Sequence, residues 1–292
     1  MAASPDLLTL VNPLSGTLSP EQKDVLIEYL VQQADEMGYI PEVVITKYPG
    51  HATELATHAV QRGIRRIIAI GGDGTVNEIA RALRHTATAL GIVPIGSGNG
   101  LARHLGIPLV PKEAVLKALH GRPVVIDSGE INGHPFFCTA GFGFEAVVAH
   151  EFARQPVRGL TTYARTAYQL FWQYQPEPLL VNGQEKKLFT LTFANAAQFG
   201  NNAWIAPKAN IADGLLEQCE LQPFSLQSVV TLFWQLFHRT LHESAYYRSE
   251  AIRTATIQGR KPLLIHADGE PIIVPSDTCQ VRVLPNSLLV LL

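Results

Sequence analysis

The sequence predicts an α/β fold in which a doubly wound, mostly parallel sheet with glycine-rich loops is followed by a β-rich, sandwich-like domain. Two observations predict it. Up to about residue 130, apolar runs alternate with segments of helical periodicity, which is typical of parallel strands covered by helices on both faces. Beyond that point the apolar runs become short and are separated by turn residues, as in an antiparallel sheet or sandwich.

The elements of the first part alternate in type, and those of the second part are mainly strands. Strands are predicted first at 7–11, 42–45, 67–70 and 90–95, with helices at 21–37 and 51–62 and further helices after Thr75, Asn99 and Pro111. Later strands are predicted at 135–139, 188–194, 215–221, 251–258, 263–267, 272–274 and 279–284, with helices at 159–174 and 225–242.

The length of 292 residues and this change of pattern indicate two domains. We expect a nucleotide-binding domain at residues 1–128, to which the tail at 285–292 returns, and a β-rich substrate domain at 129–284. Because no long linker separates the two, we expect them to pack closely, with the active site in a cleft between them.

Composition narrows the class of protein. Hydrophobic residues make up 47% of the chain and the formal net charge is −2, which argues against a nucleic-acid partner. The three cysteines are Cys138, Cys219 and Cys279, which have no metal-binding spacing and are expected to be buried thiols in a reducing cytosol. No signal-peptide pattern and no apolar stretch of about 20 residues is present, so we expect a cytoplasmic protein that contacts a membrane only peripherally.

A glycine turn follows the predicted strand at 67–70. Its residues are Gly71, Gly72, Asp73, Gly74 and Thr75, and such glycines allow positive φ angles and let backbone N–H groups approach a phosphate. The continuation Thr75-Val76-Asn77-Glu78 fits a capping box, so a helix is predicted to begin at Thr75 with its positive end at the same place. Asp73 would then lie beside the phosphates. An ordinary strand-to-helix connection is the structural alternative.

Two further polar turns contain glycines, at 12–16 and at 96–100. Both follow predicted strands, as the turn at 71–75 does. Because ligands of doubly wound sheets bind beyond the carboxyl ends of the strands, the three turns are expected to converge on one nucleotide site. The segment 141–146 also satisfies GxGxxA, but no carboxylate suited to a ribose follows about twenty residues later, so a second dinucleotide site is disfavoured.

The ordered motifs resemble the diacylglycerol kinase catalytic-domain family, which includes bacterial lipid kinases and sphingosine and ceramide kinases. Gly71 to Glu78 and Pro94 to Arg103 carry the resemblance first. Further matches occur in the expected order at Asn12 to Gly16, at Thr46 with 50–52, at 141–143, at 206–207, at 213–215 and at 268–270. No GxxxxGK[ST] occurs in the chain, so phosphates would be bound by backbone donors and hydroxyls without the lysine of a P-loop.

The resemblance implies ATP as phosphoryl donor and Mg²⁺ as its cation, with Asp73 the carboxylate nearest the metal. It also implies that Glu270 deprotonates the acceptor hydroxyl with Asp268 beside it, although the sequence leaves their order open and a plain Asp-Gly hairpin turn is the alternative. A structural cation would lie at Asn210, Asp213 and Leu215, unless that segment is simply a turn before a strand. The residues implied to bind ATP are Asn12, Pro13, Leu14, Ser15, Gly16, Thr46, Gly71, Gly72, Asp73, Gly74, Thr75, Val76, Asn77 and Ser97.

The sequence defines the lipid substrate less closely than the ATP site. Many bacterial members of the resembled family read Thr-x-Asn-Asp in the third loop, whereas this chain has Ser97-Gly98-Asn99-Gly100, a form more similar to sphingosine-type members. The aromatic segment 224–237, with Tyr168, Phe171 and Trp172, could form a lipid-access surface near Arg154, Arg158 and Arg165. An ordinary packing helix is the alternative for the segment 224–237.

The sequence thus favours an ATP-dependent kinase that phosphorylates a hydroxyl of a diacylglycerol-like or sphingoid lipid at the inner membrane face. A soluble-metabolite kinase of the NAD kinase type shares Gly-Gly-Asp-Gly-Thr and is the first alternative. A non-catalytic nucleotide or lipid sensor is the second. The lipid itself and a homodimer are left open.

Overall fold

The structure is a computed structural model that describes residues 6–156 and 159–292, without the side chain of residue 160. The chain divides into two compact units. Unit 1 runs to Ile126 and also contains Asn286–Leu292, and unit 2 comprises Asp127–Pro285. Arg158, one of the three predicted headgroup-binding arginines, and the first five residues of the predicted nucleotide domain lie outside the described residues.

Unit 1 is built from alternating strands and helices. They are β1 (Leu7–Val11), α1 (Pro20–Glu36), β2 (Pro41–Ile45), α2 (His51–Gln61), β3 (Arg66–Gly71), α3 (Asp73–Leu83), β4 (Ala89–Pro94), α4 (Gly100–His104) and α5 (Pro111–His120).

Unit 2 consists mainly of strands. Its elements begin with β5 (Pro123–Ile131), β6 (His134–Phe136), β7 (Thr139–Gly143), α6 (Phe144–Ala153), α7 (Leu160–Phe171), β8 (Pro178–Val181), β9 (Gln184–Lys187), β10 (Thr190–Ala194) and β11 (Leu216–Leu221). They continue with α8 (Val229–Phe237), β12 (Tyr247–Ile252), β13 (Thr254–Gln258), β14 (Leu263–Ala267), β15 (Glu270–Val274) and β16 (Thr278–Leu291). The chain enters unit 2 within β5 and returns to unit 1 within β16.

The sheet of unit 1 is parallel, in the order β2-β1-β3-β4-β16. All residues of β1 and β4 and nearly all of β3 are buried, as expected for strands covered on both faces. The strand order reverses between β1 and β3, because the chain passes from β1 to β2 on one side and from β3 to β4 on the other. The carboxyl ends of β1 and β3 therefore form a topological switch point. Doubly wound sheets bind ligands at such points.

Unit 2 is a β-sandwich. An antiparallel sheet in the order β12-β11-β10-β7-β14-β15 supplies one layer, and the other layer contains β13 paired with both β16 and β8. Their inner faces share one core that includes Phe142, Phe193 and Ile265 from the first layer and Ile257 and Val281 from the second. Burial of each such side chain stabilises the sandwich by about 1.5–3 kcal/mol. The two sheets and their shared core confirm the predicted α/β fold with a sandwich-like second domain.

Several local predictions were wrong. No strand was predicted at β5, β8 or β9, and the strand predicted at 135–139 runs across the end of β6 and the start of β7. The chain forms helix α6 at Phe144–Ala153, where no helix was predicted. The single strand predicted at 251–258 is divided between β12 and β13. The predicted helix at 225–242 is shorter, because α8 ends at Phe237 and Arg239 adopts a positive φ of 63°.

The expectation about the cysteines is met. All three cysteines are free and buried, as predicted for structural thiols, and burial raises the pKa of Cys279 to about 12. Within the part of the chain that the structure describes, no helix combines the length and apolar character needed to cross a membrane.

Candidate active site

The three glycine-containing turns at 12–16, 71–75 and 96–100 are here called the first, second and third loops. The side chain of Asn12 fixes the conformation of the first loop. Its Oδ1 accepts a hydrogen bond of 2.9 Å from the backbone N–H of Leu14, and its Nδ2 donates one of 3.0 Å to Oγ1 of Thr75 in α3. Gly16 has a φ of +87° and lies so close to Ile95 that a Cβ would overlap the carbonyl oxygen of Ile95. Asn12 and Gly16 therefore join the loop after β1 to the loops after β3 and β4.

Asp73 joins the second loop to the third. Its Oδ2 accepts a hydrogen bond of 2.8 Å from the N–H of Asn99, and its Oδ1 accepts one of 2.7 Å from the N–H of Gly100. Burial raises the pKa of the Asp73 carboxyl above its usual value, against the opposing effect of these backbone donors and of Arg103. The predicted metal-binding carboxylate thus also fixes the loop at 96–100.

The glycines of the second loop provide space rather than unusual backbone angles. Gly72 is extended, with a φ of −94°, and Gly71 and Gly74 are not among the glycines with positive φ, so the predicted positive φ angles are wrong. A Cβ on Gly71 would lie 2.5 Å from Cβ of Thr75, whereas one on Gly74 would meet nothing within 4 Å. Gly72 instead faces the third loop, since a Cβ on it would lie 3.5 Å from Cα of Gly96.

Helix α3 begins at Asp73, two residues before the predicted start. Its N-cap is Gly72, which makes no side-chain capping bond, so the predicted capping box at Thr75 is wrong. The Thr75 hydroxyl is buried and accepts from Asn12 instead. Glu78 caps a different helix, because its Oε2 accepts a hydrogen bond of 3.2 Å from the N–H of Ala52 in α2.

The remaining residues of the predicted ATP site differ in exposure. Thr46 follows β2 and is buried, and Val76 and Asn77 are buried in the first turns of α3. Leu14 is 92% exposed, and Pro13 and Ser97 are also exposed. Ser15 donates through Oγ to the carbonyl of Asn12 at 3.2 Å. Unit 1 therefore gathers the three glycine loops at the carboxyl ends of β1, β3 and β4, which is the convergence that the strand pattern predicted.

In unit 2, Asp268 and Gly269 form the two-residue turn between β14 and β15. Both have positive φ, 51° and 80°, as in a type I′ hairpin. The Asp268 carboxylate accepts three hydrogen bonds, of 2.8, 2.8 and 3.0 Å, from the backbone N–H groups of residues 137, 138 and 139. Glu270 is the first residue of β15, is exposed, and pairs with Ala267.

The predicted structural-cation segment is a folded loop of unit 2. Oδ1 of Asn210 accepts a hydrogen bond of 3.1 Å from the N–H of Ala212, and Oδ1 of Asp213 accepts one of 3.0 Å from the N–H of Leu215. The buried Asp127 holds the loop from outside, accepting at 2.7 Å from the N–H of Gly214. A cation at Asn210, Asp213 and Leu215 stays a prediction.

Sequence reasoning missed several polar residues that support these loops. Lys23 in α1 is buried and donates a hydrogen bond of 2.6 Å to the carbonyl of Pro13. The buried His266 accepts from the N–H of Gly269 at 3.3 Å, and the buried Glu145 lies beside it. A polar residue at a core position of a predicted strand, as His266 is, would have been the available signal.

Two family models match the chain. The diacylglycerol kinase catalytic domain matches residues 6–131, and the YegS C-terminal NAD kinase beta sandwich-like domain matches residues 138–292. A solved structure of a diacylglycerol kinase from Bacillus anthracis str. Sterne superposes with a TM-score of 0.75 at 19% identity, covering 98% of this chain and 96% of that one. That likeness supports the fold.

Curated relatives are similar along most of the chain. A "Probable lipid kinase YegS-like" protein of Chromohalobacter salexigens is 34% identical over 279 residues, which cover 91% of this chain and 87% of the relative. One of Pseudomonas putida with the same description is 29% identical over 255 residues, covering 85% and 84%. The chain therefore belongs to the YegS-like lipid kinase family, with a diacylglycerol kinase catalytic domain followed by a YegS carboxy-terminal domain.

Proposed function

We propose that this protein transfers the γ-phosphoryl group of ATP to a hydroxyl of a diacylglycerol-like or sphingoid lipid. The observation that carries the proposal is the joining of three glycine loops at the switch point of unit 1, through Asn12 with Thr75 and Asp73 with Gly100, in a chain of the lipid kinase family. We assign ATP binding to unit 1 and lipid binding to unit 2.

The phosphates of ATP would lie against the first turn of α3. This helix has 11 residues, and the N–H groups of its first turn and its macrodipole favour an anion. Gly74 leaves open space at this turn, so phosphate oxygens can approach the backbone. Thr46, Ser97 and the loop from Asn12 to Gly16 would bind the rest of the nucleotide.

Mg²⁺ would enter with ATP. The described residues contain no cluster of three or more His, Cys, Asp or Glu side chains, but Mg²⁺ commonly uses one or two carboxylates together with phosphates and water. Asp73 fits such a role, because each of its oxygens accepts one N–H and a carboxylate offers about four acceptor positions. The cation would neutralise charge on the transferred phosphoryl group.

Glu270 is our choice for the general base. The Asp268 carboxylate is committed to three backbone N–H groups, which suits an anchor for the turn. Glu270 is exposed at the start of β15, where a substrate hydroxyl can reach its carboxylate. A base needs hydrogen-bond contact with the proton that it removes.

The lipid would be reached through the outward face of α8. Val230, Phe233 and Trp234 of α8 are between 54% and 77% exposed, and the spacing i, i+3, i+4 places them on one helix face. Leu226, in the 3₁₀ turn that precedes α8, is 65% exposed. The segment 224–237 contains no charged residue. Such a face suits insertion into the headgroup boundary of a bilayer, where Trp is favoured.

Two aromatic residues of α7 and its end extend the exposed apolar surface of unit 2. Tyr168 and Trp172 are exposed and contact each other with ring centroids 6.1 Å apart. Of the predicted headgroup-binding cations, Arg165 is exposed, and Arg154 is paired with Glu151 at 2.7 Å. We therefore place the protein in the cytoplasm, at the inner membrane face, and leave a homodimer as an outcome of the tests below.

The deciding experiment is a transfer assay with γ-³²P-labelled ATP against total bacterial lipid extract, with diacylglycerol, phosphatidylglycerol and a sphingoid base as single acceptors. Labelled lipid that is lost with Glu270→Gln supports the proposal. Labelling of NAD in a parallel reaction, without labelled lipid, would assign the protein to the NAD kinase type. ATP binding without transfer to any acceptor would assign it as a sensor.

A further inference from the structure

Buried polar residues lie on neighbouring strands β10, β7 and β14 of unit 2, and β14 leads into the turn that precedes Glu270. Thr192 of β10 pairs with Gly141 of β7, and Gly141 pairs with His266 of β14. The three residues thus lie side by side on neighbouring strands. Thr192, Glu145 and His266 are all buried, and the lipid kinase reaction as described above uses none of them.

Glu145 fills the space that Gly141 leaves between Thr192 and His266. A Cβ on Gly141 would overlap Oε1 of Glu145, so only glycine admits the carboxylate here. Oε1 accepts a hydrogen bond of 2.8 Å from the Thr192 hydroxyl and lies 3.3 Å from Nε2 of His266. The GxGxxA segment at 141–146 is therefore explained by a buried carboxylate and not by a nucleotide.

His266 connects this carboxylate to the turn. Its Nδ1 accepts a hydrogen bond of 3.3 Å from the backbone N–H of Gly269. Since a backbone N–H can only donate, Nδ1 is the acceptor in this contact, and Nε2 is the ring nitrogen that faces Glu145. Within the described residues, Nε2 of His266 forms no hydrogen bond, and neither does Oε2 of Glu145. Nε2 instead lies 3.3 Å from the other carboxylate oxygen, Oε1 of Glu145.

Both residues of the turn are consequently held from within unit 2. The Asp268 carboxylate binds the backbone of residues 137–139, and the Gly269 amide binds His266. The next residue is Glu270, so the orientation of its carboxylate depends on both attachments. A general base must be held within a fraction of an ångström of its productive position.

We propose that Glu145 and His266 are positioning residues, which fix the Glu270-bearing turn through the Gly269 amide without touching substrate. This inference rests on the proposed lipid kinase function for its kinetic consequence. Its structural consequence, protection of the Gly269 amide, is independent of any activity.

The test compares His266→Ala, His266→Gln and Glu145→Gln with the wild-type full chain. Gln218→Ala is the matched control, because Gln218 is equally buried in the same sheet and binds Glu220 and Glu250 at 2.9 Å, on strands β11 and β12. Hydrogen exchange of the peptide containing residues 266–270 is measured without ligand. kcat and KM for ATP are measured with diacylglycerol vesicles.

We expect His266→Ala to exchange the turn amide at least ~10-fold faster and to lose roughly 10- to 100-fold in kcat with KM for ATP nearly unchanged. His266→Gln offers Gly269 another acceptor and should recover most of both losses. Glu145→Gln should fall between the two. Gln218→Ala should lose stability without either change.

Unchanged exchange of the turn in His266→Ala, or a kcat loss no larger than the loss of folded protein, would overturn the inference. If His266→Ala does not fold, Glu145→Gln decides it: turn exchange as slow as in the wild type would overturn the inference. A wild-type protein without lipid kinase activity would refute the proposed function, while the exchange data would still decide the role of His266.

Discussion

The Asp73 carboxylate accepts a 2.7 Å hydrogen bond from the backbone N–H of Gly100, and this contact ties the start of α3 to the start of α4. The other oxygen of Asp73 binds the N–H of Asn99, and Asn99 in turn donates through Nδ2 to the carbonyl of Gly96 at 2.7 Å. One side chain therefore determines the shape of the third loop, which carries Ser97. Loss of its charge should affect nucleotide binding through this loop as well as through Mg²⁺.

The first prediction concerns Asp73→Asn. The amide retains one acceptor oxygen and places a donor against the second backbone N–H, so one charge-assisted hydrogen bond is lost, worth about 1.5–3 kcal/mol. We expect kcat/KM for ATP to fall on the order of a hundredfold or more, with faster hydrogen exchange of residues 96–100. Asp24→Asn, on the exposed side of α1, should change neither. Normal kinetics with normal metal dependence would contradict the role of Asp73.

A second prediction follows from the pKa of Asp73. Burial raises this pKa in the folded protein, so the folded state binds the proton more tightly than the unfolded chain, and ionisation costs folding free energy. The contribution of Asp73 to stability is therefore fully present below its unfolded pKa of about 3.9 and is lost as pH rises through the folded pKa. Relative to wild type, Asp73→Asn should therefore gain free energy of unfolding as the pH rises above about 4.

Urea denaturation of both proteins across this pH range measures that difference. Asp24→Asn, at an exposed position of α1, is measured alongside as the control. A difference for Asp73→Asn that is flat, or that moves in favour of wild type as pH rises, would contradict the direction of the pKa shift.

Local patterns predicted the sheet of unit 1, but long-range contacts determined its site. The apolar runs at 7–11 and 67–70 identified β1 and β3, because such runs are local in sequence. The start of α3 was misplaced since the Thr75 hydroxyl binds Asn12, which is 63 positions away. The carboxylate of Asp268 binds residues about 130 positions earlier, and no local pattern reveals that such a carboxylate is an anchor.

Helix α6 was missed for a related reason. Its buried residues include Glu145, Ala146, Val148 and Ala149, so it lacks the single polar face by which an amphipathic helix is recognised. The glycines before it fit GxGxxA, but a dinucleotide site there was disfavoured, and in the structure Gly141 makes room for the Glu145 carboxylate. Sequence alone gives the residue types at such a site but not which of them meet.

A third prediction compares Gly74→Ala with Gly71→Ala. It distinguishes a glycine that packing within the protein requires from a glycine that leaves room for phosphate. A Cβ at position 74 meets nothing, whereas one at position 71 lies 2.5 Å from Thr75. We expect Gly74→Ala to stabilise the first turn of α3 by up to about 1 kcal/mol and yet to weaken ATP binding, because the methyl group occupies the phosphate surface. Gly71→Ala should lower the melting temperature.

Thermal unfolding and ATP calorimetry test both variants together. A Gly74→Ala protein that is more stable and binds ATP with unchanged affinity would show that the phosphates lie elsewhere.

The fourth prediction separates Asp268 from Glu270. Asp268→Asn keeps one acceptor oxygen for three backbone donors, so it should lower the free energy of unfolding of unit 2 by about 1.5–3 kcal/mol. Glu270→Gln should leave stability and ATP affinity nearly unchanged and lower kcat roughly 10²- to 10⁴-fold, since the amide cannot accept the proton. Steady-state kinetics and urea denaturation measure the two effects, and the reverse pattern would make Asp268 the base.

The last prediction tests the apolar face of α8 with the double variant Phe233→Ser and Trp234→Ser. Burying one aromatic side chain contributes about 1.5–3 kcal/mol, and both rings are more than half exposed, so binding to vesicles of phosphatidylglycerol and diacylglycerol should weaken at least ~10-fold. Activity on diacylglycerol within these vesicles should fall with it. Activity on a short-chain, water-dispersed diacylglycerol should remain, because that acceptor needs no bilayer contact.

Val25→Ser is the matched control for that variant, since Val25 on α1 is 54% exposed, the same fraction as Trp234; it should bind vesicles like the wild type. Equal vesicle binding by the double variant would show that α8 is not the membrane contact. If the wild type is instead a dimer in solution and the double variant a monomer, the face belongs to a second copy of the chain. Loss of activity on the short-chain acceptor as well would show that these rings serve the chemical step, because the variant then fails where no membrane is involved.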